Sequence, residues 1–352
     1  MSDLWHKLFS SKISMLVLFV FILIIGAATF IEEKYDTPTV KLLVYHAKWF
    51  EFLMLLLVAL FIGNNVHKEL FCKEKIPHLI FHFSFFALII GGGITRYFGF
   101  EANMHIVENE SVNKIYTLEP FFQLKLSDNS IEYTSEHPLY FSQITKSNFH
   151  LSFDVPKGNI MIKYKDYHFE AHDLFLQNAN KEVIKDYYER NSKDDSPDAL
   201  IVEILYKNKT YDALLFYDKT KYIQPFKQFK FDDLTMELTY GPKPIELPFH
   251  LKLEKFTLSK YPGTNIPSAS ESYVTLIDSR NSYKKNHVIA KNQVLDYDGY
   301  RFFQTSYDED ENGTILSLNY DYYGTRVTYF GYFLMFLGSV LIMFSKKSPF
   351  LN

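Results

Sequence analysis

Cysteine is almost absent from this chain, with Cys72 alone among 352 residues. A lone thiol excludes an intramolecular disulfide framework and a CxxC redox pair. No CxxCH occurs, so the chain is not itself a c-type cytochrome. Charge of one sign is also missing. Lysine and arginine number 37 against 41 aspartates and glutamates, no basic run stands out, and a nucleic-acid partner is not expected. Convincing amphipathic helices are scarce in the middle of the chain, apart from one candidate around Glu182–Arg190.

Apolar residues are abundant, at 47%, and they are bunched. Four nearly uncharged runs lie at the two ends: Ile13–Ile31, Trp49–Val66, His78–Thr95 and Val327–Phe344. Each supplies roughly 18–20 residues, enough to cross ~30 Å of hydrocarbon. The first is longer than a signal-peptide core and is followed by Glu32-Glu33-Lys34 without a small-residue cleavage pattern, so an uncleaved anchor is expected. Lys7 and Lys12 precede the first run, Lys68, Lys73 and Lys75 lie between the second and third, and Lys346-Lys347 follow the fourth. The positive-inside rule then puts both termini in the cytoplasm. The expected organisation is three transmembrane helices over 1–96, an external domain over 97–326, and a fourth helix with a cytoplasmic tail over 327–352.

The external segment reads as β-structure. Phe122–Leu126, Asn159–Tyr164, Leu200–Tyr206, Tyr211–Phe216, Leu234–Tyr240, Tyr273–Leu276 and Thr314–Asn319 are short β-branched, aromatic or alternating runs. Tyr206-Lys-Asn-Lys-Thr210 reads as a hairpin turn, and Lys193-Asp-Asp-Ser-Pro197 as an exposed loop. About 230 residues suffice for one or two cores. The fold class is therefore a four-span α-helical membrane protein carrying a large, external, all-β, sandwich-like domain.

Several patterns imitate sites. Asp308-Glu-Asp-Glu-Asn-Gly313 begins like a calcium loop, but Asn319 stands where the bidentate Glu is required, and Asn312-Gly313 reads as a hairpin turn. His168 and His172 have helical metal-pair spacing, with Glu170 and Asp173 near enough to add ligands. Phe169 breaks the HExxH pattern, and the alternating residues before them favour a strand and its exit. Gly91-Gly-Gly93 lacks the context of a phosphate loop and reads as close helix packing. Cys72 needs no role, and His67 beside Lys68 reads as a solvated loop residue. No catalytic constellation is present.

The third run differs, because His78 and His82 sit within an otherwise apolar helix. An intramembrane imidazole is costly and marks a functional site. Histidine is also an axial ligand of haem iron. Four residues apart, the two share one helix face at about 6 Å. Axial ligands approach from opposite sides of the porphyrin, so only one of the pair serves a given haem. The bland alternatives are interfacial solvation for His78, next to Pro77, and a backbone carbonyl or Ser partner for His82.

Phe81-His-Phe-Ser-Phe-Phe86 through Gly91-Gly-Gly-Ile-Thr-Arg-Tyr97, then Met104-His-Ile106, resembles the third span and exit of ResB (CcsB)-type system II cytochrome c biogenesis proteins. Leu247-Pro-Phe249 with Tyr261-Pro-Gly263 agrees. So do Asp298-Gly-Tyr-Arg-Phe-Phe-Gln304, Ser317-Leu-Asn-Tyr-Asp321 and Thr328-Tyr-Phe-Gly-Tyr332, all in family order. The resemblance covers nearly the whole chain and is weakest between Leu126 and Asp232.

It implies the half of a haem export and cytochrome c synthase complex that pairs with, or is fused to, a CcsA-type protein. Haem b, carried non-covalently, is moved outward across a bacterial inner membrane and attached to CxxCH cysteines of apocytochrome c. The membrane ligand falls on His82, with His78 the weaker candidate. The external haem-binding histidines and the tryptophan-rich segment belong to the CcsA part. With only Trp5 and Trp49, that part is expected outside these residues, and this chain is not expected to be catalytic alone. The rival reading is a non-enzymatic membrane-anchored scaffold whose external β domain recognises another protein and whose His82 is structural.

Overall fold

A computed structural model describes residues 9–67, 75–127, 132–155, 158–172, 196–231 and 234–345. The expected helix at Glu182–Arg190, Cys72, Asp173 and most of the Lys193–Pro197 patch lie outside these residues. Four helices are long and apolar enough to cross a membrane: α1, Ser11–Lys34; α2, Lys48–His67; α3, Ile76–Phe98; and α4, Tyr322–Met343. Each coincides with one of the apolar runs, α4 ending one residue short of its run at Met343. His67, expected in a loop, is instead the last residue of α2, because the helix outlasts the apolar run by a residue.

Local chemistry sets the helix ends. The Ser10 side chain caps α1 by accepting from the backbone N–H of Ile13 at 3.4 Å. Pro77 occupies the first turn of α3, where its missing N–H costs nothing. At the other end, Gly99 leaves helical geometry and donates its N–H to the Thr95 carbonyl at 2.8 Å. Between α1 and α2 the chain makes a helical turn, Thr37–Val40, and a wide π turn, Lys41–Tyr45. Asp36 caps the first by accepting from Thr39 N–H at 2.6 Å.

Helices α3 and α4 lie antiparallel, and their seam follows a seven-residue rhythm. Gly324, Gly331 and Gly338 of α4 abut Thr95, Leu88 and Phe81 of α3. Added side chains would collide with backbone: a Cβ on Gly338 would lie 2.7 Å from the Phe81 nitrogen, and one on Gly324 would lie 2.9 Å from that of Thr95. Seven residues are close to two turns, so each glycine returns to the same face. Small residues let helix backbones approach where no hydrophobic gradient drives them together.

The same pairing continues beyond the helices. Strand β1, Phe100–Val107, leaves α3, and β14, Gly313–Tyr320, leads into α4. They pair antiparallel from Phe100↔Tyr320 to Val107↔Gly313. At the junction, Thr95 Oγ1 donates to Asp321 Oδ2 at 2.7 Å, and Thr325 Oγ1 donates to the same oxygen at 3.2 Å. One hairpin-like unit thus runs from the sheet into the helix pair.

The domain is all-β and antiparallel. The remaining strands of the larger sheet are β2, Ser111–Ser127; β3, Glu132–Pro138; β8, Lys227–Phe231; β9, Leu234–Lys260; β10, Pro267–Asp278; β11, Tyr283–Ala290; β12, Leu295–Tyr297; and β13, Tyr300–Tyr307. Their order is β11-β10-β9-β2-β1-β14-β13-β12, with β3 on β2 and β8 on β9. The smaller sheet, in order β4-β5-β6-β7, comprises β4, His150–Val155; β5, Gly158–His168; β6, Asp198–Tyr206; and β7, Lys209–Tyr217. All seven sequence-predicted strands lie within these elements.

Two cores result, joined by the two longest strands. The outer halves of β2 and β9 contribute Phe122, Leu124, Met236 and Leu238, which pack on Ile160, Ile162, Val202 and Ile204 of the smaller sheet. This is the sandwich. The inner halves contribute Ile115, Phe249 and Leu251 to a second core, where the large sheet curls over and adds Met104, Leu276, Phe302 and Leu316. Gly241, at φ +151°, marks the bend between the halves of β9. The predicted 206–210 turn is a two-residue hairpin in which Lys207 and Asn208 both take positive φ, matching strand twist.

Candidate functional site

His78 and His82 occur early in α3, toward the end remote from the β domain. Fourteen residues separate His82 from Arg96, about 21 Å at 1.5 Å per residue. The His82 ring is half-buried against Phe61 of α2, with centroids 6.3 Å apart, and against Phe81 at 6.2 Å. Phe61 also stacks on Phe85 at 5.3 Å and meets Phe86 edge-on at 6.4 Å. The histidine is therefore clamped by aromatic rings from two helices. Such a wall is flat, apolar and weakly competitive for the imidazole nitrogens.

Phe61 shares its helix face with two buried amides. Asn64 and Asn65 follow it by three and four residues, on the same face of α2. Both are buried, and their side-chain oxygens accept no hydrogen bond among the described residues. A buried amide lacking a partner costs about 1–3 kcal/mol. Two adjacent amides inside a hydrophobic helix were the available signal. An imidazole beside aromatic rings suits a large planar group that offers a metal to nitrogen, so the residues present fit haem.

Most of the other candidates make local structural contacts. Among the described residues no cluster of three or more His, Cys, Asp or Glu could hold a metal ion. His168 ends β5, opposite Ala199, with Nε2 3.4 Å from Asp166. His172 lies past the strand, sharing a 3.3 Å hydrogen bond with Ser196 Oγ. Asp198 organises this exit, accepting from Tyr167 Oη at 2.7 Å and from the Glu170 N–H at 3.0 Å. Burial, with the Asp198 and Tyr240 neighbours, pushes the Tyr167 hydroxyl far above its ordinary range, so it stays a donor.

Asp308–Asn312 is the connection of the β13–β14 hairpin, as the sequence suggested. It closes with Asp308 N–H donating to the Gly313 carbonyl at 3.1 Å. The Asp308 carboxylate is engaged by His105 Nε2, at 2.8 and 3.0 Å. Of the three glycines at 91–93, only the first is explained by helix packing. Gly91 abuts Gly324 and Thr328 of α4, whereas side chains on Gly92 and Gly93 would meet nothing within 4 Å.

Comparison with known proteins agrees with the residue blocks. The family described as "ResB-like family" matches residues 210–329. Protein NrfI of Wolinella succinogenes is 35% identical over 347 residues, which is 98% of this chain. The chain spans 36% of the length of that relative. Among solved structures, MucB in complex with MucA(peri) aligns over 59% of this chain and 92% of its own, at 9% identity and a TM-score of 0.11. That score is too low for a shared fold.

Proposed function

The chain belongs to the ResB-like family, and from that premise we propose that it is the ResB-like subunit of a haem export and cytochrome c synthase complex. It resides in a bacterial cytoplasmic membrane with the β domain on the external side. Its membrane partner is a CcsA-type protein, and the final acceptor is apocytochrome c. Haem b is non-covalent cargo, received in the half of the bilayer remote from the β domain. His82 offers the axial nitrogen, and His78, one turn nearer the helix start, is a secondary or handover ligand.

The observation that carries this reading is the setting of His82. A half-buried imidazole stands in a membrane-length helix between Phe61 and Phe81, in a family whose name reaches this chain through independent sequence blocks. Haem supplies the iron that an imidazole ligates and the flat apolar ring that phenylalanines contact. The chain's own residues hold the ring, keep water away and orient the imidazole. Thioether formation needs free thiols and reduced haem, and no group here is assigned to it.

The test is haem content. The complex of this chain with a CcsA-type protein, purified as a His82→Ala variant, should lose most co-purifying haem absorbance. Exogenous imidazole should restore part of it. Unchanged haem in a well-expressed variant would move the ligand elsewhere and favour the scaffold reading.

A further inference from the structure

A cavity lies in the α2–α3 groove at the end next to the β domain. Its volume is about 800 Å³. That is within the range of small-molecule sites, roughly 300–1,000 Å³. Its floor is apolar, formed by Leu55 and Val58 of α2 and Ile89 and Ile90 of α3. Gly92 and Gly93, the two glycines that helix packing leaves unexplained, line its wall. With side chains there, the space would be filled.

The mouth is polar and balanced. Lys41 is bound to Glu119 at 3.0 Å, and Arg96 to Glu51 at 2.8 Å. Glu101 adds a third carboxylate, so the lining has no surplus positive charge. His46 stands among these groups, its ring 5.4 Å from that of Tyr140. Its ring nitrogens make no hydrogen bond among the described residues. Burial lowers its proton affinity, outweighing the pull of Glu119, so the imidazole is neutral near pH 7 and both donates and accepts.

We propose that this cavity binds an isoprenoid quinol or quinone, with the ring at the His46–Arg96 mouth and the tail along the Val58–Ile89 floor. Depth and polarity fit that shape. From Lys48 to Val58 is ten residues of helix, about 15 Å. Polar groups occupy one end of that length and hydrocarbon the other. The chemistry at the mouth fits both redox forms, since Arg96 and Lys41 donate to carbonyls while His46 and Glu119 accept from hydroxyls. A phosphate head group is disfavoured by the paired cations and the third carboxylate. The assignment does not rest on haem at His82, because neither His78 nor His82 lines this cavity.

Trp49 provides a reporter, since it lies in the first turn of α2 beside the cavity-lining Phe50, with ring centroids 5.7 Å apart. Full-length protein purified in detergent is titrated with a short-tail benzoquinone while tryptophan emission is followed, in parallel with a Trp5→Phe variant that leaves Trp49 alone. The result expected is saturable quenching. The affinity should fall about tenfold in Gly92→Leu/Gly93→Leu, which fills the wall, and several-fold in His46→Leu, which keeps the volume. Solvent extraction of protein from native membranes should yield quinone, and the glycine variant should lose it while keeping its haem. Linear, unsaturable quenching in the native protein would overturn the proposal. So would extraction of phospholipid alone, or unchanged affinity in both variants.

Discussion

Gly331 of α4 lies directly on the backbone of Leu88 of α3. A methyl group in place of its hydrogen would come within 2.9 Å of Leu88 Cδ2 and 3.1 Å of the Leu88 nitrogen. Two turns to either side, Gly338 meets Phe81 and Gly324 meets Thr95 in the same way. The position of His82, next to Phe81 on α3, therefore depends on a helix more than 240 residues later in the chain. The glycine seam is what ties the last span to the site.

Gly331→Leu should accordingly destabilise the helix pair, by about 1–3 kcal/mol for an overpacked contact. Gly92→Leu, on the same helix as Leu88 but facing open space, should not. Thermal unfolding of the two variants in one detergent makes the comparison. Equal melting temperatures would mean that the seam is not tightly packed in the protein.

The spans, the β class and the hairpin at 206–210 were legible because each is written in consecutive residues: length and hydropathy, alternation, and a turn of short polar residues. The glycine heptad was not. Gly324, Gly331 and Gly338 look like scattered small residues until α3 is placed beside them. Asn64 and Asn65 were hidden for a similar reason, since polarity near a span end looks like a boundary. Here they are buried on the face that carries Phe61. The division of β2 and β9 between two cores depends on pairings over a hundred residues apart, such as Phe122↔Tyr240, which local patterns do not encode.

Lysine placement predicts the topology. Reporter fusions after Lys75 and after Asp232 should report opposite sides of the membrane, with the Lys75 fusion cytoplasmic. Matching reports would be incompatible with α3 as a single crossing.

Within the β domain, Asp278 is the buried charge to probe. Its side chain is fully covered, and Arg280 grips it through Nη2 at 2.6 Å and Nε at 3.0 Å. The Arg280 backbone N–H donates at 2.9 Å and Tyr297 Oη at 2.8 Å. These hydrogen bonds, Arg280 foremost, overcome desolvation and hold the carboxyl well below its ordinary 3.8. A depressed acid stabilises the fold in full above that ordinary value. The contribution is lost as pH falls below it toward the depressed one. Asp278→Asn should thus lower the denaturation midpoint at about pH 6, and the gap to the native protein should narrow near about pH 3. A gap independent of pH would assign the effect to packing.

Of the two membrane histidines, His82 should matter more. It is clamped by Phe61 and Phe81, while His78 has no such ring contact among the described residues. His82→Ala should remove most haem absorbance from the complex with a CcsA-type partner, and His78→Ala a smaller part. The reverse ranking would place the ligand one turn nearer the start of α3.

Finally, this chain alone should not mature a cytochrome. It offers a shared-face histidine pair in a membrane-length helix, which under the proposed function would supply one axial position rather than two. It carries no cysteine in the segment proposed to be external and two tryptophans in all. On the proposed function, the second ligand and the surface on which haem meets CxxCH would come from the CcsA-type part, outside these residues. Co-expression with a CcsA-type protein and an apocytochrome should give haem staining that survives a denaturing gel. Omitting the CcsA-type protein should leave none, even with His82 intact. Covalent cytochrome formed by this chain alone, in a host without other maturation systems, would mean that the whole reaction resides in these four helices and their β domain.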